Sequence, residues 1–342
     1  MDIVGPKGTV RTQTDGNRVG IDPTDFEALT GWRVKPEGLC RGEVCVPWRD
    51  RASIGDEGAL DLEALCLQGA MPLVIDRAEL VGAVGTALHQ RGDELGSAAA
   101  RPVELRDLGG AIHPVIDDRS GKKMVVAFAS WCGCAHDLPG WQAVADELAD
   151  HDFAIIGIAV DESPDLVEPF TRGIRFPIFL DSDRVFCEHY GVVNVPTVIW
   201  IDDDGSIARP NIQAFADDAW VEFHDKPSGP HLDALRRWVV HGVLPEVDPA
   251  AVRPTTTADQ QLARTEFRLA LELRRRDRPD AARQHFDRAI ELAPDDFTIW
   301  RAALQLTGDD PFGPTFFERY EEWKQRTGGY SYPGDRPIGV TG

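Results

Sequence analysis

The chain has 342 residues, more than one ordinary hydrophobic core organises, so two or three domains are expected. Its 36 basic and 57 acidic residues give a formal net charge of −21, which repels nucleic acid and anionic membrane surfaces and excludes both as partners. No run of about 18 apolar residues occurs, and residues 1–20 lack the apolar core of a secretory signal, so a cytoplasmic protein is expected.

Residues 1–20, rich in Gly, Thr and charge, read as a disordered tail. A small α+β module of unassigned role follows over residues 21–101. Asp22-Pro23 opens a short helix through Leu29, and Gly31-Trp32 closes it. Leu60, Leu62, Leu65 and Leu67 mark a second helix, and Pro72-Leu73-Val74-Ile75 a strand. The stretch 87–101, with Gly92, Gly96, Ser97 and three alanines, reads as a linker.

Six cysteines (Cys40, Cys45, Cys66, Cys132, Cys134 and Cys187) are too few for a disulfide framework and read as catalytic, buried or metal-binding. Cys40 and Cys45 lie in a Gly/Pro-rich loop. A metal site there would need two more ligands, and no nearby Cys/His pair has zinc spacing. They read as structural cysteines, with a relay of electrons to Cys132 as the alternative. Cys66 and Cys187 read as core, Cys187 doubling as a resolving thiol if exposed. Neither metal nor cofactor is expected.

Residues 102–250 alternate strand and helix signals, which implies a parallel-rich sheet covered by helices. Strands are expected over residues 103–105, 124–129, 153–160, 178–180, 197–201 and 206–208. Helices are expected over 138–148, 166–171, 183–190 and 232–240. Asp203-Asp204-Gly205 turns the last two strands into a hairpin. Between the apolar run 124–128 and the helix at 138 stands Trp131-Cys132-Gly133-Cys134. A cysteine where a strand turns into a helix meets unpaired N–H groups and the helix dipole, both of which favour the reactive thiolate.

In order, the pieces Leu105-Arg106-Asp107-Leu108-Gly109-Gly110, Val125-Val126-Ala127-Phe128-Ala129-Ser130-Trp131-Cys132-Gly133, Ile156-Gly157-Ile158-Ala159-Val160-Asp161-Glu162, Phe176-Pro177-Ile178-Phe179-Leu180-Asp181 and residues 190–202 resemble the thioredoxin-fold ResA/TlpA group of disulfide reductases. The resemblance covers about 140 residues with every element in sequence. It implies an α/β thioredoxin-like sandwich, a cis Pro196 facing Cys132, and a Val195 backbone presented to a bound peptide or thiol. It implies Cys132 as nucleophile, Cys134 or a second thiol as the resolving group, Trp131 as a cover over the thiolate, and Gly133 as the residue that permits the tight turn. The substrate would be a protein or small-molecule disulfide or peroxide, with a thiol as electron donor.

The chain departs from the family in its turn. Pro139 lies five residues after Cys134, as the family's proline follows its second cysteine, so the turn has lost a residue and reads Cys-Gly-Cys. A Cys132–Cys134 disulfide would therefore close a tighter ring and be more oxidising than that of thioredoxin. The family's buried acid falls at Val126, so His136 and Asp137 become the candidates for proton transfer. A thiol peroxidase is the alternative activity, although Ala129 stands where a peroxiredoxin needs threonine. A non-catalytic interaction scaffold is the alternative of another class.

Residues 251–342 are helical and charged. Ala263, Phe267, Ala270, Ala282, Phe286, Ala289 and Pro294 fall at the small and aromatic positions of a 34-residue helix–turn–helix unit, resembling one tetratricopeptide repeat. A second copy starts at Phe297 and Trp300 and departs at Gly308-Asp309-Asp310-Pro311. One and a half repeats bury no continuous core, so the tail must pack on another domain, on a protein partner or on a second copy.

Overall fold

The structure is a computed structural model that describes residues 1–55, 59–88, 90, 97, 99–116, 121–246 and 255–335. The chain divides into two compact units, Met1–Asp93 with Thr256–Pro294, and Glu94–Thr255 with Asp295–Gly342.

The first unit begins at once with strands β1 (Asp2–Gly5), β2 (Gly8–Arg11), β3 (Gln13–Asp15) and β4 (Arg18–Ile21). The expected disordered tail is therefore corrected: Ile3 and Val19 are buried in the unit's core. Strands of three or four residues that each bury only one to three side chains, or none, leave no hydrophobic period to read, and the exposed β2–β3 stretch looks like a polar tail.

Helix α1 (Pro23–Thr30) follows as expected, capped by the Asp22 carboxylate on the Thr24 N–H and ended by Gly31 at φ 78°. Then come β5 (Arg33–Lys35), β6 (Gly38–Arg41), β7 (Val44–Pro47), α2 (Arg51–Ile54), β8 (Leu60–Asp61), α3 (Leu62–Gly69), β9 (Leu73–Asp76) and β10 (Val81–Val84). The main sheet has the order β2-β1-β10-β9, with β1 and β10 parallel. Cys40 and Cys45 face each other across the β6–β7 ladder and form a disulfide, so neither sulfur is a thiolate available to a metal or a relay in this state. Cys66 is buried among the leucines of α3, as read from its apolar stripe. The expected linker lies largely outside the described residues.

The second unit carries β11 (Glu104–Asp107), β12 (Ile112–Pro114), β13 (Lys122–Phe128), α4 (Leu138–Glu147), β14 (Phe153–Ala159), α5 (Pro164–Val167), β15 (Ile178–Leu180), α6 (Val185–Tyr190), β16 (Thr197–Ile201), β17 (Ile207–Ile212), α7 (Val221–His224) and α8 (Ser228–His241). Seven strands form one sheet in the order β12-β11-β15-β14-β13-β16-β17. Strands β13, β14 and β15 run parallel, and β16 returns antiparallel beside β13. The expected elements appear in the expected order, and the arrangement is thioredoxin-like. Met124, Val126, Ile155, Val198 and Trp200 pack beneath Trp141 and Trp238, two aromatics donated by α4 and α8. Val126 is thus core.

Four α-helices follow among the described residues: α9 (Ala258–Arg275), α10 (Pro279–Leu292), α11 (Phe297–Thr307) and α12 (Pro314–Thr327). Among the described residues no helix is long and apolar enough to cross a membrane. The expectation of a separate helical domain over 251–342 is corrected, because the chain passes from one unit to the other between Pro294 and Asp295.

Helices α9 and α10 pair through Phe267 and Phe286, whose ring centroids are 5.2 Å apart, and α9 lies on β9 and β10 of the first unit. Arg268 donates to the Val84 carbonyl at 3.1 Å and Gln261 to that of Thr86 at 3.0 Å. This is how the incomplete repeat covers its second face. Helices α11 and α12 belong to the thioredoxin-like unit, where Phe297, Trp300, Phe316, Tyr320 and Trp323 form one aromatic cluster.

Candidate active site

Strand β13 ends at Phe128, and the chain soon turns into a 3-10 helix, Gly133–Asp137, that leads directly into α4. Cys132 is the residue that caps this helix, its Sγ accepting the Cys134 N–H at 3.3 Å. Cys132 is 6% exposed and Cys134 3%, and the two are not bonded to each other. The Cys132 thiol also points at the Val195 carbonyl, 3.4 Å away, in the loop whose Val195–Pro196 peptide is cis. The turn and the proline loop, 63 residues apart in sequence, thus meet as the resemblance implies.

Nothing in the sequence pattern signals the third participant, Arg301 of α11. Its side chain is buried, the residue being 7% exposed, and its guanidinium stacks on Phe316 at 3.8 Å and also faces Trp131 at 5.9 Å. Its Nε donates to the Pro311 carbonyl at 3.2 Å. Among the described residues no carboxylate lies within ion-pair distance of it. A buried cation without a carboxylate is expensive unless an anion faces it, and the group it faces is the Cys132 sulfur.

Burial alone would raise the Cys132 thiol. The hydrogen bond from the Cys134 thiol, the Arg301 charge and the Cys134 N–H outweigh it and bring the thiol down to about 7. Burial pushes the Cys134 thiol up, and the Cys132 charge pushes it further. At neutral pH Cys132 is therefore partly thiolate, while Cys134 keeps its proton.

Of the two candidates for proton transfer, His136 is exposed and rests edge-on against Phe170 at 5.2 Å. Asp137 is 2% exposed, and its Oδ2 has no hydrogen-bond partner among the described residues. Burial, the Asp217 charge and the Cys132 thiolate together raise its carboxyl to about 7. Asp137 is thus a buried acid beside the turn, whereas Val126 is core.

A carboxyl raised in the folded state ionises first in the unfolded one, so it destabilises as pH climbs from 3.8 to about 7. Asp137→Asn should remove that slope and gain stability relative to wild type by up to about 1.4 kcal/mol per pH unit across the window. Denaturant unfolding at pH 4, 5.5 and 7 checks this; a constant difference between the two proteins would contradict it. His136→Ala should change neither stability nor thiol reactivity by more than about twofold.

Trp131, expected as the cover over the thiolate, is buried, with its Nε1 donating to the Val160 carbonyl at 3.2 Å, and it does not line the pocket that Cys132 lines. The indole over the turn is Trp220, which lies 3.7 Å from where a side chain at Gly133 would begin. That is an ordinary contact, and Gly133 has no positive φ, so neither space nor backbone demands glycine there. Cys187 is fully buried, with its N–H on Asp181 at 2.9 Å, and lies outside the pocket that Cys132 lines. That pocket, about 200 Å³, is lined by the rings of Phe215, Trp220, Phe223, Phe312, Phe316 and Phe317. His224 also lines it, stacked on Phe215 at 3.6 Å. Burial and the Lys226 charge push its imidazole down to about 4, so it is neutral at pH 7.

Residues 97–209 match the AhpC/TSA family, and residues 263–306 match the tetratricopeptide repeat. The thiol-disulfide oxidoreductase ResA of Bacillus thuringiensis subsp. konkukian is 29% identical over 140 residues, which is 38% of this chain and 80% of that protein. The sporulation thiol-disulfide oxidoreductase A of Bacillus subtilis is 26% identical over 99 residues, 27% of this chain and 60% of that protein. Among solved structures, the thioredoxin domain of a thiol-disulfide oxidoreductase from Bacteroides vulgatus aligns at 18% identity and a TM-score of 0.34, over 42% of this chain and 96% of that one.

Proposed function

We propose that this chain is a thiol-disulfide oxidoreductase in which Cys132 is the nucleophile and Cys134 the resolving thiol of a shortened Cys-Gly-Cys turn. The asymmetry of the two sulfurs is what supports this reading. Cys132 takes the helix N–H and faces a buried cation, while Cys134 keeps its proton.

The thiolate of Cys132 attacks one sulfur of a disulfide, and the leaving thiolate collects a proton from the Cys134–Asp137 side of the turn. Cys134, once deprotonated, attacks Cys132 Sγ, releases the second thiol and leaves the turn oxidised by two electrons. A dithiol donor restores it.

The test is a trap. Cys134→Ser incubated with bis(2-hydroxyethyl) disulfide should accumulate a stable adduct on Cys132, whereas wild type should show only a transient one. An unmodified Cys132, or an adduct confined to Cys66 or Cys187, would contradict the assignment.

Peroxide reduction by the same thiolate is the second reading, favoured by the AhpC/TSA match and by the cation beside the sulfur. It requires a sulfenic acid on Cys132 after treatment with an organic hydroperoxide.

A further inference from the structure

The loop that would dock a peptide substrate is already in use by the chain itself. The Val193 and Asn194 N–H groups donate to the Tyr332 hydroxyl at 2.9 and 3.2 Å. The Val193 carbonyl accepts the Phe297 N–H, the first of α11, at 2.7 Å. The Val195 N–H is taken by the Asn194 side chain at 2.8 Å, and the Asn194 carbonyl by Thr197 Oγ1 at 2.6 Å. The Val195 carbonyl faces Cys132 Sγ at 3.4 Å.

The N–H groups of Val193, Asn194 and Val195 and the carbonyls of Val193 and Asn194 are therefore engaged within the chain, and the Val195 carbonyl lies against Cys132, which leaves no edge on which an extended peptide can add a strand. Tyr332 is held in turn, since Asp335 accepts its N–H at 3.0 Å and the Gln213 N–H at 2.7 Å.

What remains open beside Cys132 is the aromatic pocket, where Phe and Trp rings surround one guanidinium. The Arg301 guanidinium is buried against Phe316 and faces the Cys132 sulfur, and His224 is neutral, so the site offers no exposed charge to a ligand. Its volume of about 200 Å³ suits a ring-sized group rather than a folded partner, since an apolar cavity of about 150 Å³ already takes up benzene.

Resting on the oxidoreductase reading above, we propose that the substrate is a small, uncharged disulfide whose substituents are aromatic or similarly apolar. One substituent lies between Trp220 and Phe317 while its sulfur meets Cys132. The substrate S–S bond breaks as the Cys132–S bond forms, the departing thiolate is protonated, and closure of Cys132–Cys134 frees the second thiol. The substrate gains two electrons and two protons, which a dithiol donor replaces.

The experiment compares bis(2-phenylethyl) disulfide, bis(2-hydroxyethyl) disulfide and insulin, with dithiothreitol as donor. The two small disulfides release primary alkyl thiols of similar leaving ability, so their ratio reports the pocket. The phenylethyl compound should show kcat/KM at least tenfold above the hydroxyethyl one, with insulin slowest. Phe317→Ser and Trp220→Ser, both at half-exposed positions, should each reduce that ratio at least threefold; two variants are used so that a folding failure in one leaves the other.

Equal or reversed preference among the substrates, or a ratio unmoved in a folded variant, would overturn the substrate class while leaving the oxidoreductase reading intact. No turnover of any of the three, with Cys132 unmodified in single-turnover mixing, would overturn both.

Discussion

Arg301→Met should raise the titration midpoint of Cys132 by at least about one unit and slow its alkylation at pH 6.5 roughly tenfold, since a unit of pKa is ~1.4 kcal/mol and a tenfold change in thiolate fraction below the midpoint. The side chain of Arg301 is buried against Phe316 without a carboxylate, so its charge acts on the sulfur through a poorly screening medium. Methionine fills the same space against the aromatics, and removing a buried cation that has no carboxylate should leave the fold at least nearly as stable. Arg301→Lys keeps the charge but loses the planar stack, and should fall between the two. Alkylation rates between pH 5 and 9 give the midpoints. A well-folded Arg301→Met with the wild-type midpoint would show that the helix end and the Cys134 hydrogen bonds suffice.

Removing residues 308–342 should abolish the native second unit. The cut takes away Phe316, Tyr320, Trp323 and Tyr332, four buried side chains each contributing ~2–3 kcal/mol. Together that approaches the whole stability of ~5–15 kcal/mol typical of a domain. It also strips the aromatic cover from Phe297 and Trp300 and frees the loop at Val193 and Asn194. The truncated chain should aggregate or bind a hydrophobic dye, and should lose disulfide exchange by at least a hundredfold. Removing residues 254–342 would in addition lay bare the sheet face under α9. A monodisperse, equally stable and active product would contradict the assignment of α12 to the redox unit.

The redox turn and the sheet around it were legible because their signals are local. An unbroken apolar run gives β13, the switch to helical spacing fixes where α4 starts, and Cys132 at the junction announces the thiolate. Asp137 was readable as one of two carriers of a proton, but burial alone separates it from His136, and burial depends on the packing of Ala216 and Asp217, far along the chain.

Arg301 was not legible. In the sequence it is one arginine in an amphipathic helix of a degenerate repeat, and its role arises only because α11 packs on the proline loop through the Phe297 N–H. Tyr332 is hidden for the same reason, 138 residues from the amide it satisfies. The N-terminal strands were missed for another cause: strands of three or four residues, paired across short turns, carry too few buried positions for alternation to show.

Whether Cys132 is an activated nucleophile is decided by its thiolate absorbance in Cys134→Ser, titrated from pH 4 to 10. Serine keeps a donor beside the sulfur and removes the second thiol from the signal, while the remaining buried thiols, Cys66 and Cys187, are subtracted with a Cys132→Ala, Cys134→Ser control. A single midpoint near 7 is expected, below the ~8.5 of an ordinary cysteine. A midpoint at or above that value would mean that the turn, the helix end and Arg301 do not activate Cys132, and would contradict its role as nucleophile.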